Sequence, residues 1–210
     1  MRDTSIKHIT ALKEEHKKRD KKIKETLEKF KDLSVEELRK EFIFCTLTPQ
    51  SNAKRCWEAV EQISAIKNPE ETEISEILRT RTRFHNNKAR YLVENRKLWN
   101  KTLESLSKPN RSDMKELRNW IAENVHGYGL KEASHFLRNI GKSDNQIAIL
   151  DRHILRNLKR YEAIADEKIK SKKDYLEKEM LFLKLAEKLN IPADELDLLF
   201  WSLENGEVFK

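Results

Sequence analysis

The sequence predicts an all-α protein, and three observations carry that prediction. Apolar residues recur three and four apart along most of the 210 residues, which is the spacing of one helix face. No stretch alternates apolar and polar residues as a half-buried strand would. A serine or aspartate followed three residues later by glutamate stands just ahead of apolar runs, and prolines stand where runs stop. The length suits one large domain or two small lobes and is ample for a core.

The elements follow in chain order. A highly charged helix is expected from about Ser5 to Phe30, with sparse apolar positions at Ile6, Ile9, Ile23, Leu27 and Phe30. "SVEELRKEFIFCTL" opens with a capping box, Ser34 and Glu37, and should bury Leu38, Phe42 and Cys45 before Pro49 breaks it. "SNAKRCWEAVEQI" resumes with Ser51 as cap and Ala53, Trp57 and Val60 on one face. A short helix near 72–80 and a longer one near 86–106 follow, with junctions at Pro69 and Pro109. Asp113 and Glu116 open "MKELRNWIAENV", whose apolar face is Met114, Leu117, Ile121 and Val125. Ala133, Phe136, Leu137 and Ile140 form the next face, and Gly141 is placed to end it. Asp151 caps "DRHILRNLKRY", a helix near 174–189 comes next, and Pro192 introduces "ADELDLLFWSLENG". No internal repeat and no low-complexity linker interrupts the chain.

Charge and cysteine usage narrow the function classes. The net charge of +7 fits an anionic partner, nucleic acid first and an acidic membrane surface second, or simply a solvated Lys/Glu surface. Cys45 and Cys56 have no zinc-ligand spacing, and two cysteines cannot hold a four-cysteine iron–sulfur cluster. Buried reduced thiols in a cytoplasmic protein are expected. His126, His135 and His153 lack accompanying carboxylates at ligand spacing, so no metal site is expected. The first residues have no apolar leader region, and no run approaches membrane-spanning length.

Three of the four glycines lie between residues 127 and 141. In "VHGYGLKEASHFLRNIG", Gly127 and Gly129 join two helices. The turn is either a plain αα-hairpin or a phosphate grip, in which side-chain-free peptides and the N-terminus of the next helix offer N–H groups to a DNA backbone. Lys131 follows in the first turn of that helix. A cation there opposes the helix dipole, and partial burial would favour the neutral, nucleophilic amine. The helix from Lys131 to Ile140 is about 15 Å long, and residues 141–150 can span about 30 Å extended. The chain can therefore return along the helix, burying "QIAIL", and bring Asp151 to Lys131. An N-capping aspartate stays ionised, and an anion beside a nucleophilic amine suits chemistry that develops positive charge on a sugar.

These residues carry a resemblance. "GYGLKEASHFLRNIG", its lysine and "ILDRHI" twenty residues on resemble the helix–hairpin–helix DNA glycosylases. "FCTLTPQSNAKRC", "RFHNNKARYL", "ELDLLFW" and the C-terminal lysine narrow the resemblance to the type-2 8-oxoguanine DNA glycosylase/AP lyases of archaea and some bacteria, from about residue 34 onward. The hairpin departs from the commoner form in having His126 where proline precedes the first glycine. The absence of cysteine after Cys56 sets aside the iron–sulfur relatives.

The resemblance implies a two-lobed helix–hairpin–helix glycosylase fold with its site between lobes: roughly 34–110 as one lobe, 111–165 as the hairpin lobe, and 1–33 and 166–210 packing across them. It implies a base-excision repair enzyme that expels 8-oxoguanine through a Schiff base on Lys131 and nicks the strand by β-elimination, Asp151 stabilising the oxocarbenium charge. Phe84 and Trp201 would stack on or line the extruded base, Lys210 and Asp197 would meet its polar edge, and Gln50 would fill the gap left in the duplex. Gly127, Gly129 and Arg152 would touch phosphates, with Lys142, Arg156, Lys159 and Arg160 as further candidates. No metal or organic cofactor is implied for the chemistry, while a structural monovalent ion at the hairpin carbonyls is admitted. The expected partner is double-stranded DNA containing 8-oxoguanine, bound by a cytoplasmic monomer acting at the nucleoid. The rival readings are a glycosylase for another lesion, a non-catalytic DNA-binding module, and an RNA-binding or scaffold protein.

Overall fold

The computed structural model describes residues 2–107 and 113–210, with side chains from residue 8 onward. The expectations for Ile6 and for the junction at Pro109 lie outside the described residues. The helices are α1 (Arg2–Glu28), α2 (Val35–Leu47), α3 (Ala53–Ala65), α4 (Glu71–Arg79), α5 (His85–Asn95) and α6 (Trp99–Ser107). They continue with α7 (Met114–Asn124), α8 (Leu130–Asn139), α9 (Arg152–Arg160), α10 (Lys172–Leu189) and α11 (Ala193–Asn205). A 3-10 turn, Arg96–Leu98, joins α5 to α6. No strand occurs among the described residues, so the protein is all-α. The chain forms two compact units, Leu33–Phe136 and Met1–Asp32 with Leu137–Lys210.

In the unit Leu33–Phe136, α2 starts with the expected reciprocal cap: Ser34 Oγ accepts from the Glu37 N–H, and Glu37 accepts from the Ser34 N–H. Its second half, Glu41 to Leu47, is buried on every side, as a helix becomes when neighbours cover all its faces. Phe42 gathers Trp99, Tyr128 and Phe136 at ring separations of 5.3–5.6 Å. A ring of this size contributes about 1.5–3 kcal/mol when fully buried.

Three local expectations are corrected here. The cap of α3 is Asn52, which accepts from the Arg55 N–H at 3.1 Å, and not Ser51. The buried face of α3 is Cys56, Ala59, Val60 and Ile63, with Trp57 only half-buried. The helix expected over 86–106 is interrupted at Arg96–Leu98. A 3-10 turn advances about 120° per residue against about 100° in an α-helix, so three residues rotate the apolar stripe by only about 60° and leave the sequence pattern continuous.

In the other unit, α11 packs against α1, α9 and α10. Leu196, Leu198, Leu199 and Phe200 are buried, and Phe200 stacks on Tyr161 and meets Phe182 edge-on. Along α1 the buried positions are Leu12 and Ile23, Phe30 is buried in the turn that follows, and Ile9 and Leu27 are half-buried. Gly141 ends α8 as expected. Its φ is +66°, and the Lys142 N–H returns to the Leu137 carbonyl at 2.8 Å, the Schellman pattern. A Cβ at Gly141 would stand 2.9 Å from the Phe30 carbonyl oxygen. The irregular Ile147–Leu150 stretch is buried. Part of its backbone is satisfied by α10: the Ala148 N–H donates to Glu179, the Leu150 N–H to the Tyr175 hydroxyl, and that hydroxyl to the Ala148 carbonyl.

Beneath α11, Arg138 donates to Asp197 at 3.2 Å, both about 5% exposed. Burial lifts the Asp197 carboxyl to about 7, against the pull of Arg138 and with a further push from Asp151 and Asp194. A carboxyl whose folded value lies above its unfolded one holds its proton longer in the native state. Its contribution is therefore complete below about pH 4 and is lost as pH rises towards 7. Asp197→Asn should gain stability relative to wild type across that window, followed by urea unfolding at pH 4.5, 6 and 7.5. A difference that does not vary with pH would show Asp197 ionised throughout.

Candidate active site

The turn between α7 and α8 is built from Val125 to Gly129. Asn95, buried at the end of α5, fixes it: its amide donates to the His126 carbonyl and accepts from the His126 N–H, both at 2.9 Å. The His126 ring stacks on Tyr91. Tyr128 turns inward and donates to the Phe42 carbonyl at 2.8 Å. Its burial pushes the phenol well above its ordinary value. Gly127 has φ +81°, and a Cβ there would lie 2.7 Å from Tyr91 Cδ2. Gly129 has no positive φ, and a Cβ there would meet only Glu132 Oε2, at 3.3 Å, the end of a flexible side chain. Gly127→Ala should therefore cost about 1–3 kcal/mol and Gly129→Ala about 1 kcal/mol or less, a ranking that thermal unfolding of the two variants checks.

Gly129 is the residue that caps α8. Its carbonyl accepts from the Ala133 N–H, and its own N–H donates to Glu132 Oε2 at 3.2 Å. The other Glu132 oxygen lies 2.9 Å from Lys131 Nζ. One carboxylate thus answers both the helix terminus and the ammonium set against its dipole. The Lys131 side chain is 26% exposed. Glu132 did not figure in the sequence reading, although glutamate three residues after a capping glycine is half of a capping box.

The second missed residue is Lys88, on α5 and only 4% exposed. Its three protons go to the Leu47 carbonyl at 2.7 Å, the Pro49 carbonyl at 2.9 Å and Ser51 Oγ at 2.9 Å. Burial lowers its amine to about 8; Cys56 and Glu132 counter this, and Lys131 adds to it. Cys56, whose thiol bonds the Leu47 carbonyl, is pushed up by burial to about 11. Gln50 lies inside the turn that Lys88 spans, exposed and with φ +53°. Phe84 precedes α5 with φ +57° and is 52% exposed, with Arg83 over its ring. A ring that exposed is not packed in the core.

The remaining expected residues lie in the unit formed by Met1–Asp32 and Leu137–Lys210. Asp151 caps α9 as expected, one oxygen accepting from the His153 N–H at 2.8 Å and the Ile154 N–H at 2.9 Å. Arg152 is exposed and donates to His153 Nε2 at 3.2 Å. Burial lowers the His153 imidazole, with Asp151 opposing and Arg152 assisting. Trp201, half-buried on α11, meets His153 at 6.5 Å and Phe209 at 6.1 Å, and Lys210 follows, also half-buried. Asp197 lies one turn before Trp201. It is not a surface acid, because its carboxylate is held by Arg138. Of the further cations, Arg156 and Arg160 pair with Glu204 and Lys159 with Glu167. His16, Asp20 and Glu195 bring donor atoms within 4.8 Å of one another, and His16 and Glu195 already bond each other at 2.7 Å.

Residues 19–191 match the family model described as 8-oxoguanine DNA glycosylase. The 8-oxoguanine DNA glycosylase/AP lyase of Fusobacterium nucleatum is 40% identical over 214 residues, covering 97% of this chain and 98% of that protein. The crystal structure of the 8-oxoguanine DNA glycosylase of Thermotoga maritima superposes with a TM-score of 0.87 at 33% identity, covering 98% of this chain and all of that one. The Methanocaldococcus jannaschii 8-oxoguanine glycosylase/lyase, solved in complex with a 15mer DNA containing 8-oxoguanine, superposes with a TM-score of 0.84 at 32% identity over 95% of this chain and all of that one. With an all-α fold, a lysine at the helix start behind a Gly-Tyr-Gly turn and matches that run nearly the length of both partners, this chain belongs to the 8-oxoguanine DNA glycosylase family.

Proposed function

We propose that this chain removes 8-oxoguanine from double-stranded DNA and nicks the strand at the abasic site it creates. The observation that carries the reading is Lys131 in the first turn of α8, paired with Glu132, in a chain similar over nearly its whole length to proteins named for both activities. Once its proton has passed to a base, the Lys131 amine attacks C1′ as the bond to the base breaks. The departing purine takes up a proton, and the sugar ring opens to a protonated imine on Lys131. Loss of a C2′ proton then expels the 3′ phosphate by β-elimination, and water releases the lysine. The Asp151 carboxylate stabilises the positive charge that builds on the sugar.

The lesion must leave the stack to react. Phe84, with its exposed ring, and Trp201 supply aromatic faces, Gln50 fills the vacated space, and Lys210 meets the base's polar edge. The pair Asp197–Arg138 acts less directly, anchoring the face of α11 that carries Trp201 one turn on. Gly127, Gly129 and Arg152 contact phosphates, aided by the net charge of +7. The Val125 and His126 carbonyls each accept one N–H. Each keeps a second lone pair, so they fit a structural monovalent ion that would bring positive charge to a phosphate. No helix among the described residues is long and apolar enough to cross a membrane, and we place the protein in the cytoplasm as a monomer on DNA.

The test is a set of duplexes carrying 8-oxoguanine, uracil, or no lesion, scored for released base and for strand cleavage without added alkali. Selective release of 8-oxoguanine with cleavage supports the reading. Release of another base alone points to a different lesion, and binding without release points to a non-catalytic module.

A further inference from the structure

A fully satisfied ammonium buried without a direct carboxylate contact is costly to keep. Lys88 is such a group, since its three hydrogen bonds go to two carbonyls and a hydroxyl. Capping the C-terminus of α2 explains the bond to the Leu47 carbonyl. It does not explain the bonds to Pro49 and Ser51, which lie beyond the helix on either side of Gln50. Ser51 Oγ carries the connection further. Besides Lys88 it accepts the Arg83 N–H at 3.0 Å and donates to the Pro49 carbonyl at 3.3 Å. Arg83 is the residue before Phe84. The two residues reached by this network, Gln50 and Phe84, both sit in the left-handed region, at φ +53° and +57°. Non-glycine residues persist there when their surroundings over-determine them, and such positions cluster at functional sites.

We propose that Lys88 is a positioning residue that, through Ser51, holds the turns of Gln50 and Phe84 in one fixed arrangement, so that filling the duplex gap and stacking on the extruded base occur together. The inference rests on the roles given above to Gln50 and Phe84. Lys88 touches neither DNA nor the reacting sugar. Its effect falls on base extrusion and on the geometry of the bound lesion, while the Lys131 chemistry on a sugar that has already lost its base is largely spared.

The experiment uses the full chain with Lys88→Met, Lys88→Arg, Ser51→Ala, Gln50→Ala and Phe84→Ala. Each variant is assayed under single-turnover conditions on a duplex with 8-oxoguanine opposite cytosine, and by borohydride trapping on a duplex with a preformed abasic site. A 2-aminopurine beside the lesion reports unstacking. A misplacement of about 1 Å costs up to about 100-fold, so Lys88→Met and Ser51→Ala should lose at least about tenfold in excision and in the 2-aminopurine rise. Abasic-site trapping should stay within about threefold of wild type. Lys88→Arg, which keeps the charge and donors, should recover part of the loss.

Equal losses on both substrates would reduce Lys88 to a structural residue and overturn the proposal, as would unchanged excision in Lys88→Met. If Lys88→Met does not fold, Ser51→Ala decides alone, since it removes the shared acceptor and leaves the buried ammonium two carbonyls. Unchanged excision in both Gln50→Ala and Phe84→Ala would overturn the roles given to those residues, and this inference with them. A loss in those two without one in Lys88→Met or Ser51→Ala would overturn the inference alone.

Discussion

Lys131→Gln is expected to abolish excision of 8-oxoguanine and the borohydride-trapped protein–DNA complex together, each by on the order of 10⁴-fold or more, because a nucleophile has no substitute within its own site. Glutamine keeps much of the side-chain length but offers no basic amine. The fold should be untouched. The pair with Glu132 is partly exposed, and such pairs contribute about 0–1 kcal/mol. Glu132 also keeps its bond to the Gly129 N–H, so the start of α8 stays capped. Binding to a duplex with a non-cleavable abasic analogue, read by fluorescence anisotropy, should change by no more than about tenfold. Trapping that survives the substitution would move the Schiff base to another amine and overturn the role given to Lys131. Excision by the variant without trapping would mean that water attacks the sugar in its place and that Lys131 serves strand cleavage but not base release.

The parts of this site that could be read from the sequence are those whose chemistry is local. Ser34 with Glu37, Asp113 and Asp151 cap their helices as expected because a cap satisfies N–H groups two or three residues away. Gly141 ends α8 for the same kind of reason. The hairpin and its lysine form one short string, so spacing alone brings them together. What escaped is what long-range contacts decide. Ser51 is an ordinary cap by sequence, but its hydroxyl is engaged by Lys88 and Arg83, 37 and 32 residues further on, and Asn52 takes the cap. Lys88 itself is one lysine in a chain with 43 Lys and Arg, and nothing in its neighbourhood marks it as buried. Composition and spacing left the exposure of Phe84 equally hidden, and only the family resemblance set its ring aside for a base. The division into compact units has no long linker to announce it, since the chain passes between them twice, in the short connection at Asp32–Leu33 and inside α8 after Phe136. The burial of Asp197 was hidden as well, because its partner, Arg138, lies 59 residues earlier on a different helix.

Asp151→Asn should leave the protein folded and reduce excision of 8-oxoguanine by about 10²–10⁴-fold. The two functions of this residue can be separated because one oxygen, Oδ1, receives both the His153 and the Ile154 N–H groups. The asparagine amide presents an equivalent oxygen, and asparagine caps helices about as well as aspartate, so stability should change by less than about 1 kcal/mol. Asp151→Ala loses the cap too and should cost about 0.5–2 kcal/mol more in unfolding. Comparing the two variants by urea unfolding and single-turnover excision divides structural from chemical loss. The preformed abasic site then identifies the chemistry. Expelling a base builds oxocarbenium charge at C1′, whereas the open aldehyde of an abasic sugar forms an imine without passing through that state. If Asp151 stabilises the charge, Asp151→Asn should lose much more on 8-oxoguanine than in trapping on the abasic duplex. An equal loss on both would assign the carboxylate to taking the proton from Lys131, a step the two substrates share.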